Sequence, residues 1–197
     1  MSPFLNVNRF IPTTEAEGPG LRSCVWLQGC HIRCEGCFAK DLWESEERLL
    51  YTPDDLMSKV PSRAEGITIL GGEPFEQEEG LSLLLELAWD KGLSTIVFTG
   101  NTLEDMQTKE NETIHSILSH TDVLIDGPYI ESLKSFDVPL IGSKNQRFHF
   151  LTNRYSMNDF GNNKYEVRIS KNGVIGINGM GNTEIFNRVL KKREELN

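Results

Sequence analysis

All four cysteines of the chain fall between Cys24 and Cys37, and three of them, Cys30, Cys34 and Cys37, stand in the spacing C-x3-C-x2-C. Three thiolates on one short loop can hold three irons of a cubane cluster. The fourth iron then lacks a protein ligand. An open position of that kind is what a catalytic metal needs, whereas a structural site closes all four. A small bidentate ligand carrying an amine and a carboxylate could fill it. Two other readings compete. A structural zinc site would need a fourth ligand, and His31 adjoins Cys30, which makes joint ligation of one ion awkward. A redox C-x2-C pair would leave the third cysteine idle. Cys24 lies in the apolar run Ser23–Gln28 and is expected to be a small buried hydrophobe rather than a ligand.

The segment Gly71-Gly72-Glu73-Pro74 follows one apolar run and precedes a helical pattern. Its two glycines would let a ligand approach the backbone closely and leave amides free to donate. Glu73 would add a carboxylate suited to an ammonium group. Glycines after strands are common turns, so the segment gains its weight from sharing a strand-end edge with the cysteine loop.

The elements that must position these groups alternate in type. Ser23–Gln28, Ile67–Leu70, Thr95–Phe98 and Val123–Ile125 read as strands, without the period-two alternation of a half-exposed strand. Thr52-Pro53-Asp54-Asp55 starts a helix. Leu81, Leu84, Leu85 and Ala88 place an amphipathic helix over Gln77–Lys91, ended by Gly92. A weaker helix covers Ile114–Ser119. Such alternation predicts an α/β fold with parallel strands, whose carboxyl ends gather functional groups. Gly71, Gly100 and Gly127 all fall at that edge. Beyond it, Gln146–Leu151 and Tyr165–Ile169 alternate somewhat, Lys171-Asn172-Gly173 is a hairpin turn signal, and Val174–Ile177 pairs back. Tyr155–Asn163 reads as a loop, and Thr183–Glu195 as a terminal helix. The expected organisation is a core over residues 1–151 with an extension over 152–197 packed on the same domain.

Composition narrows the classes. The 197 residues are 38% hydrophobic and 25% charged, as in a globular domain, and the net charge of −9 argues against a nucleic-acid partner. No apolar run is long enough for a membrane helix, and Met1–Arg9 lacks a signal pattern, so a cytoplasmic protein is expected. There, clustered thiols more often bind metal than form disulfides. A hydrolase reading finds no G-x-S-x-G, and the four histidines are scattered. His115 and His120 are expected to be solvated and His149 to lie at a core edge. The tryptophans are expected to pack, with Trp43 close enough to the cysteine loop to shield it.

Several segments carry a resemblance. Gly18-Pro19-Gly20-Leu21-Arg22, then Leu27-Gln28-Gly29-Cys30 with Cys34 and Cys37, then Gly71-Gly72-Glu73-Pro74, resemble the radical S-adenosylmethionine superfamily. Phe38–Trp43, Phe98–Glu104, Asp122–Leu133 and Gly142–Arg147 are similar, more narrowly, to the activating enzymes of glycyl-radical enzymes, of the anaerobic ribonucleotide reductase activating type. Ile141 stands where those proteins usually carry Arg, and the shortest of them have no counterpart of the tail after Leu151. The resemblance implies a shortened (βα) partial barrel, one 4Fe–4S cluster on Cys30, Cys34 and Cys37, and S-adenosylmethionine as the ligand of the fourth iron. It places Gly36 and Phe38 beside the adenosine, and Gly72 and Glu73 at the methionyl amine, with Gly71 a further cofactor-binding residue. Thr99, Asp126 and Asn145 are its further candidates for lining the site. It implies one electron from a flavodoxin or ferredoxin, and a 5′-deoxyadenosyl radical that abstracts hydrogen. The expected substrate is a Gly Cα of a partner enzyme, the alternatives being direct action on a peptide or small molecule and a non-catalytic metal-binding module.

Overall fold

A computed structural model describes residues 3–181; the expected helix Thr183–Glu195 lies outside the described residues. The strands are β1 (Leu5–Thr14), β2 (Arg22–Leu27), β3 (Leu49–Tyr51), β4 (Gly66–Gly71), β5 (Ser94–Phe98), β6 (Val123–Asp126), β7 (Arg147–Phe150), β8 (Tyr165–Ile169) and β9 (Ile175–Gly179). The helices are α1 (Pro53–Ser58), α2 (Glu78–Asp90), α3 (Leu103–Gln107) and α4 (Glu112–Ser119).

Seven strands form one sheet in the order β3-β1-β2-β4-β5-β6-β7, open at both ends. The central pairs β2–β4, β4–β5 and β5–β6 are parallel, as the alternation of elements predicts. The flanks are antiparallel: β1 on β2, β3 on β1, and β7 on β6. Gln146–Leu151 thus belongs to the main sheet, pairing Val123 with Phe150 and Asp126 with Arg147. Strands β8 and β9 form a separate antiparallel hairpin.

Alternation along the strands assigns two faces. Val25, Leu27, Ile67, Ile69, Val97 and Leu124 pack with the apolar stripes of the helices, namely Leu56 and Met57 of α1, Leu81, Leu84, Leu85 and Ala88 of α2, Met106 of α3 and Ile114 and Ile117 of α4. The opposite face carries Cys24 and Trp26 with Ile11 and Leu42, and Ile96, Val123 and Ile125 with Leu140, Ile141 and Phe160. Among the described residues these four helices therefore lie on one face, while loops and the chain after β7 cover the other. Three of the helix starts carry a side-chain cap: the Thr52 hydroxyl accepts from Asp55 N at 3.1 Å behind Pro53, Thr102 does the same for α3, and Asn111 does so for α4. Among the described residues no helix is long and apolar enough to cross a membrane.

The hairpin docks on the N-terminal strand. Glu15 N donates to Glu166 Oε1 at 2.8 Å, Arg168 donates to Thr13 O at 2.8 Å, and Gly179 N donates to Glu17 Oε1 at 2.8 Å.

Candidate functional site

The cysteine loop leaves β2 at the carboxyl end of a parallel strand, next to the loop that leaves β4. Two hydrogen bonds lock the loops together: Gly72 N donates to Leu27 O and Glu73 N to Gly29 O, both at 2.8 Å. A Cβ on Gly72 would overlap the Gly29 carbonyl, and one on Gly71 would overlap Leu27 backbone. The expectation of free amides at Gly72 and Glu73 is therefore corrected. These glycines let two chain segments touch, and the amides serve that contact.

Both loops face a cavity of about 490 Å3, within the range of small-molecule sites. Cys30, Cys34 and Cys37 line it together with Gly71, Gly72, Glu73, Thr99, Phe38 and Trp43. All the cysteines are free thiols, and Cys24 is fully buried with Ile11, Trp26 and Leu42, the core role expected of it. Burial pushes the Cys30 thiol above its ordinary range, against the backbone N–H groups of Arg33 and Ile32, which favour the thiolate. Burial raises Cys34 likewise, against the Tyr129 amide. Ala39 N donates to Cys37 Sγ at 3.4 Å. Amide donors aimed at loop sulfurs are one of the levers that tune an iron–sulfur cluster, and cationic iron would displace the thiol protons on binding. Among the described residues no three His, Cys, Asp or Glu side chains converge to hold a single metal ion.

The loop has its own brace. Glu76 Oε1 accepts from His31 N and meets His31 Nδ1, each at 2.5 Å. Cys30 N donates to Trp43 O at 3.0 Å, so Trp43 is tied to the loop it was expected to shield.

Glu73 is 1% exposed. Oε1 accepts from Phe75 N at 3.0 Å and from the Thr99 hydroxyl at 2.8 Å, and Oε2 accepts from Gly100 N at 2.8 Å. It joins the ends of β4 and β5. A carboxylate offers about four acceptor positions, so these three donors leave one on Oε2 without a partner among the described residues.

The other expected residues divide. Gly71, Gly72, Glu73, Thr99 and Phe38 line the cavity with the three thiols. Gly36, Asp126 and Asn145 do not. Gly36 occupies a left-handed turn, φ 76°, where a Cβ would strike the Glu131 carboxylate. Asp126 is fully buried and accepts from Leu103 N at 2.7 Å and from Arg147 Nε at 3.0 Å, with His149 Nε2 3.0 Å away. It clamps β6 to β7 and α3. The Asn145 side-chain amide donates to Pro128 O at 2.6 Å. Their strand-end positions are right for a site, but their side chains turn into the scaffold.

Several lining residues escape motif reading: Asn8 and Arg9 of β1, Glu17, Trp26, Asp41, and Ile177, Asn178 and Gly179 of β9. They meet through pairing of distant segments, for which no local signal exists.

Comparison with known proteins bears on this geometry. Residues 16–149 match the model of the 4Fe–4S single cluster domain family. The anaerobic ribonucleoside-triphosphate reductase-activating protein of Enterobacteria phage T4 is 29% identical over 151 residues, covering 73% of this chain and 92% of that one. The protein of the same name from Escherichia coli K12 is 26% identical, covering 75% and 99%. The pyruvate formate-lyase-activating enzyme of Clostridium pasteurianum is 31% identical, covering 58% and 49%. About a quarter of this chain lies outside its match to the first two.

Proposed function

The chain belongs to the 4Fe–4S single cluster domain family and to the radical S-adenosylmethionine superfamily, and from that premise we propose that it activates a glycyl-radical enzyme by removing a hydrogen atom from a glycine Cα. It is an oxidoreductase whose cofactors are one 4Fe–4S cluster and S-adenosylmethionine. The observation that carries the reading is the placing of three free thiols and the Gly71–Glu73 loop on one cavity wall, at the carboxyl ends of parallel strands.

When bound, the cluster and S-adenosylmethionine would supply one-electron reduction and hydrogen-atom abstraction. The chain's own residues bind, orient and exclude water. Cys30, Cys34 and Cys37 hold three irons. Glu73, locked by Thr99 and Gly100, offers its open Oε2 position to the methionyl ammonium. Phe38, whose ring centroid lies 5.5 Å from that of Tyr129, supplies an apolar flank for the adenosine. Trp43 shields the cluster loop. The electron comes from a flavodoxin or ferredoxin, in a reducing cytoplasm that keeps the thiols free.

A second reading has one observation in its favour. The β8–β9 hairpin lies beyond the family match, and its Ile177, Asn178 and Gly179 line the cavity. A cover of this kind suits direct action on a peptide or small molecule. Anaerobic reconstitution followed by reduction with S-adenosylmethionine separates the two. A stable organic radical on an added glycyl-radical protein is the expected result. Deoxyadenosine released with a small substrate alone, and no radical on any partner, overturns the activating reading.

A further inference from the structure

The cavity has a second wall, away from the Gly71–Glu73 and Thr99 side. In the strand order, β1 and β2 lie on one flank of β4, while β5 and β6 lie on the other. On that flank Arg9 pairs across from Trp26, and its guanidinium carbon sits 4.0 Å from the centroid of the indole. Trp26 is 6% exposed beneath it, whereas Arg9 is exposed. A guanidinium lying over an aromatic face holds its N–H donors in a fixed fork. One of these reaches Ile177 O at 3.5 Å; among the described residues the Arg9 side chain makes no other hydrogen bond or ion pair.

Two carboxylates stand near without closing on it. Glu17 and Asp41 both act on the Arg9 charge, and both line the cavity. Glu17 is engaged elsewhere, its Oε1 accepting from Asn178 Nδ2 at 3.2 Å and Gly179 N at 2.8 Å. The Asp41 side chain makes no hydrogen bond or ion pair among the described residues, although its backbone oxygen accepts from Gln28. The wall thus offers an open donor fork, braced from beneath by the indole, and an open acceptor. A free anion would meet Arg9 but be repelled by the flanking carboxylates. A peptide unit is neutral and carries both a carbonyl and an N–H.

We propose that Arg9, Trp26 and Asp41 form a subsite for the main chain of an extended polypeptide segment, with Arg9 donating to a carbonyl and Asp41 accepting an N–H. The subsite rests on the activating reading above and deepens it, since this segment is the one that presents the target glycine.

The test uses reconstituted protein loaded with S-adenosylmethionine, titrated calorimetrically with an acetylated, amidated heptapeptide with a central glycine, and in parallel with acetate. The wild type should bind the peptide more tightly than acetate. Arg9→Ala should weaken peptide binding about ten- to a hundredfold, the range of a charge-assisted hydrogen bond. Arg9→Lys should not restore it, because the planar fork is lost. Asp41→Asn should weaken it several-fold, with S-adenosylmethionine affinity unchanged throughout. Equal peptide affinity in Arg9→Ala overturns the subsite, as does tighter binding of acetate than of peptide, or loss of S-adenosylmethionine together with the peptide. The two readings fail separately. Undiminished radical formation on a partner by Arg9→Ala removes the subsite and leaves the activating reading. Peptide binding that depends on Arg9, without a radical on any partner, leaves the subsite and removes that reading.

Discussion

Glu73 shows how one side chain can serve scaffold and ligand together. Three donors hold its buried carboxylate across the ends of β4 and β5. Glu73→Gln replaces one oxygen by an NH2 group that must face a donor, Gly100 N or the Phe75 N and Thr99 pair. A buried donor left unsatisfied costs about 1–3 kcal/mol. The expected outcome is an unfolding free energy lowered by that amount together with weaker S-adenosylmethionine binding, the first read by urea titration and the second by calorimetry. Unchanged cofactor affinity in a destabilised variant would leave Glu73 as scaffold alone. At Cys34 the expectation is simpler. Cys34→Ala removes an iron ligand from a loop that its own backbone bonds keep in place, among them Cys37 N to Cys34 O at 3.1 Å. Anaerobic reconstitution should then yield less iron per chain and no intact cluster absorbance, with the fold retained by circular dichroism. Zinc rather than iron in the wild-type protein would turn the site into a structural one.

At the scale of elements, the cysteine loop is positioned by contact between two strand exits rather than by a helix. Gly72→Ala forces a methyl group into the Gly29 carbonyl and must break the bonds of Gly72 N and Glu73 N. Overpacking against backbone costs about 1–3 kcal/mol, and here the same displacement moves the thiols. The variant should lose both thermal stability and cluster retention, and loss of stability with full cluster content would show that the loop is held by other means. The central strands and α2 are legible in the sequence because each is a long apolar run or a clear 3.6-residue stripe. Strand β1 is not, since register shifts on either side of Arg9–Ile11 and the presence of Pro12 break its pattern. Strand β3 has three residues, and α3 has five, too few for any period. The thiol loop and the Gly71–Glu73 turn are legible because their chemistry is local. Asp126 and Asn145 mislead because position at a strand end does not say which way a side chain turns. Arg9, Trp26, Asp41 and the hairpin wall meet only through pairing across the fold, which no local spacing encodes.

For the whole molecule, the docking of the hairpin adds Ile177, Asn178 and Gly179 to the cavity lining, and its anchor is titratable. Glu17 is 5% exposed and holds Asn178 and Gly179 of β9 through a single oxygen, Oε1. Burial pushes its carboxyl above the usual range, against those two donors and the nearby Arg9, which favour the charged form. The folded protein therefore keeps this proton more tightly than the unfolded chain, where the value is about 4.3. The resulting stabilisation is full below that value and is lost as pH rises through the higher folded value. Glu17→Gln keeps an oxygen for both donors while leaving no charge to bury. Urea midpoints of wild type and variant compared from about pH 4 to about pH 7 should diverge in favour of the variant as pH increases. A difference that stays flat, or that favours the wild type at neutral pH, would mean that Arg9 and the β9 donors outweigh the cost of burying the charge, and the hairpin would then be held by an ionised Glu17 rather than in spite of it.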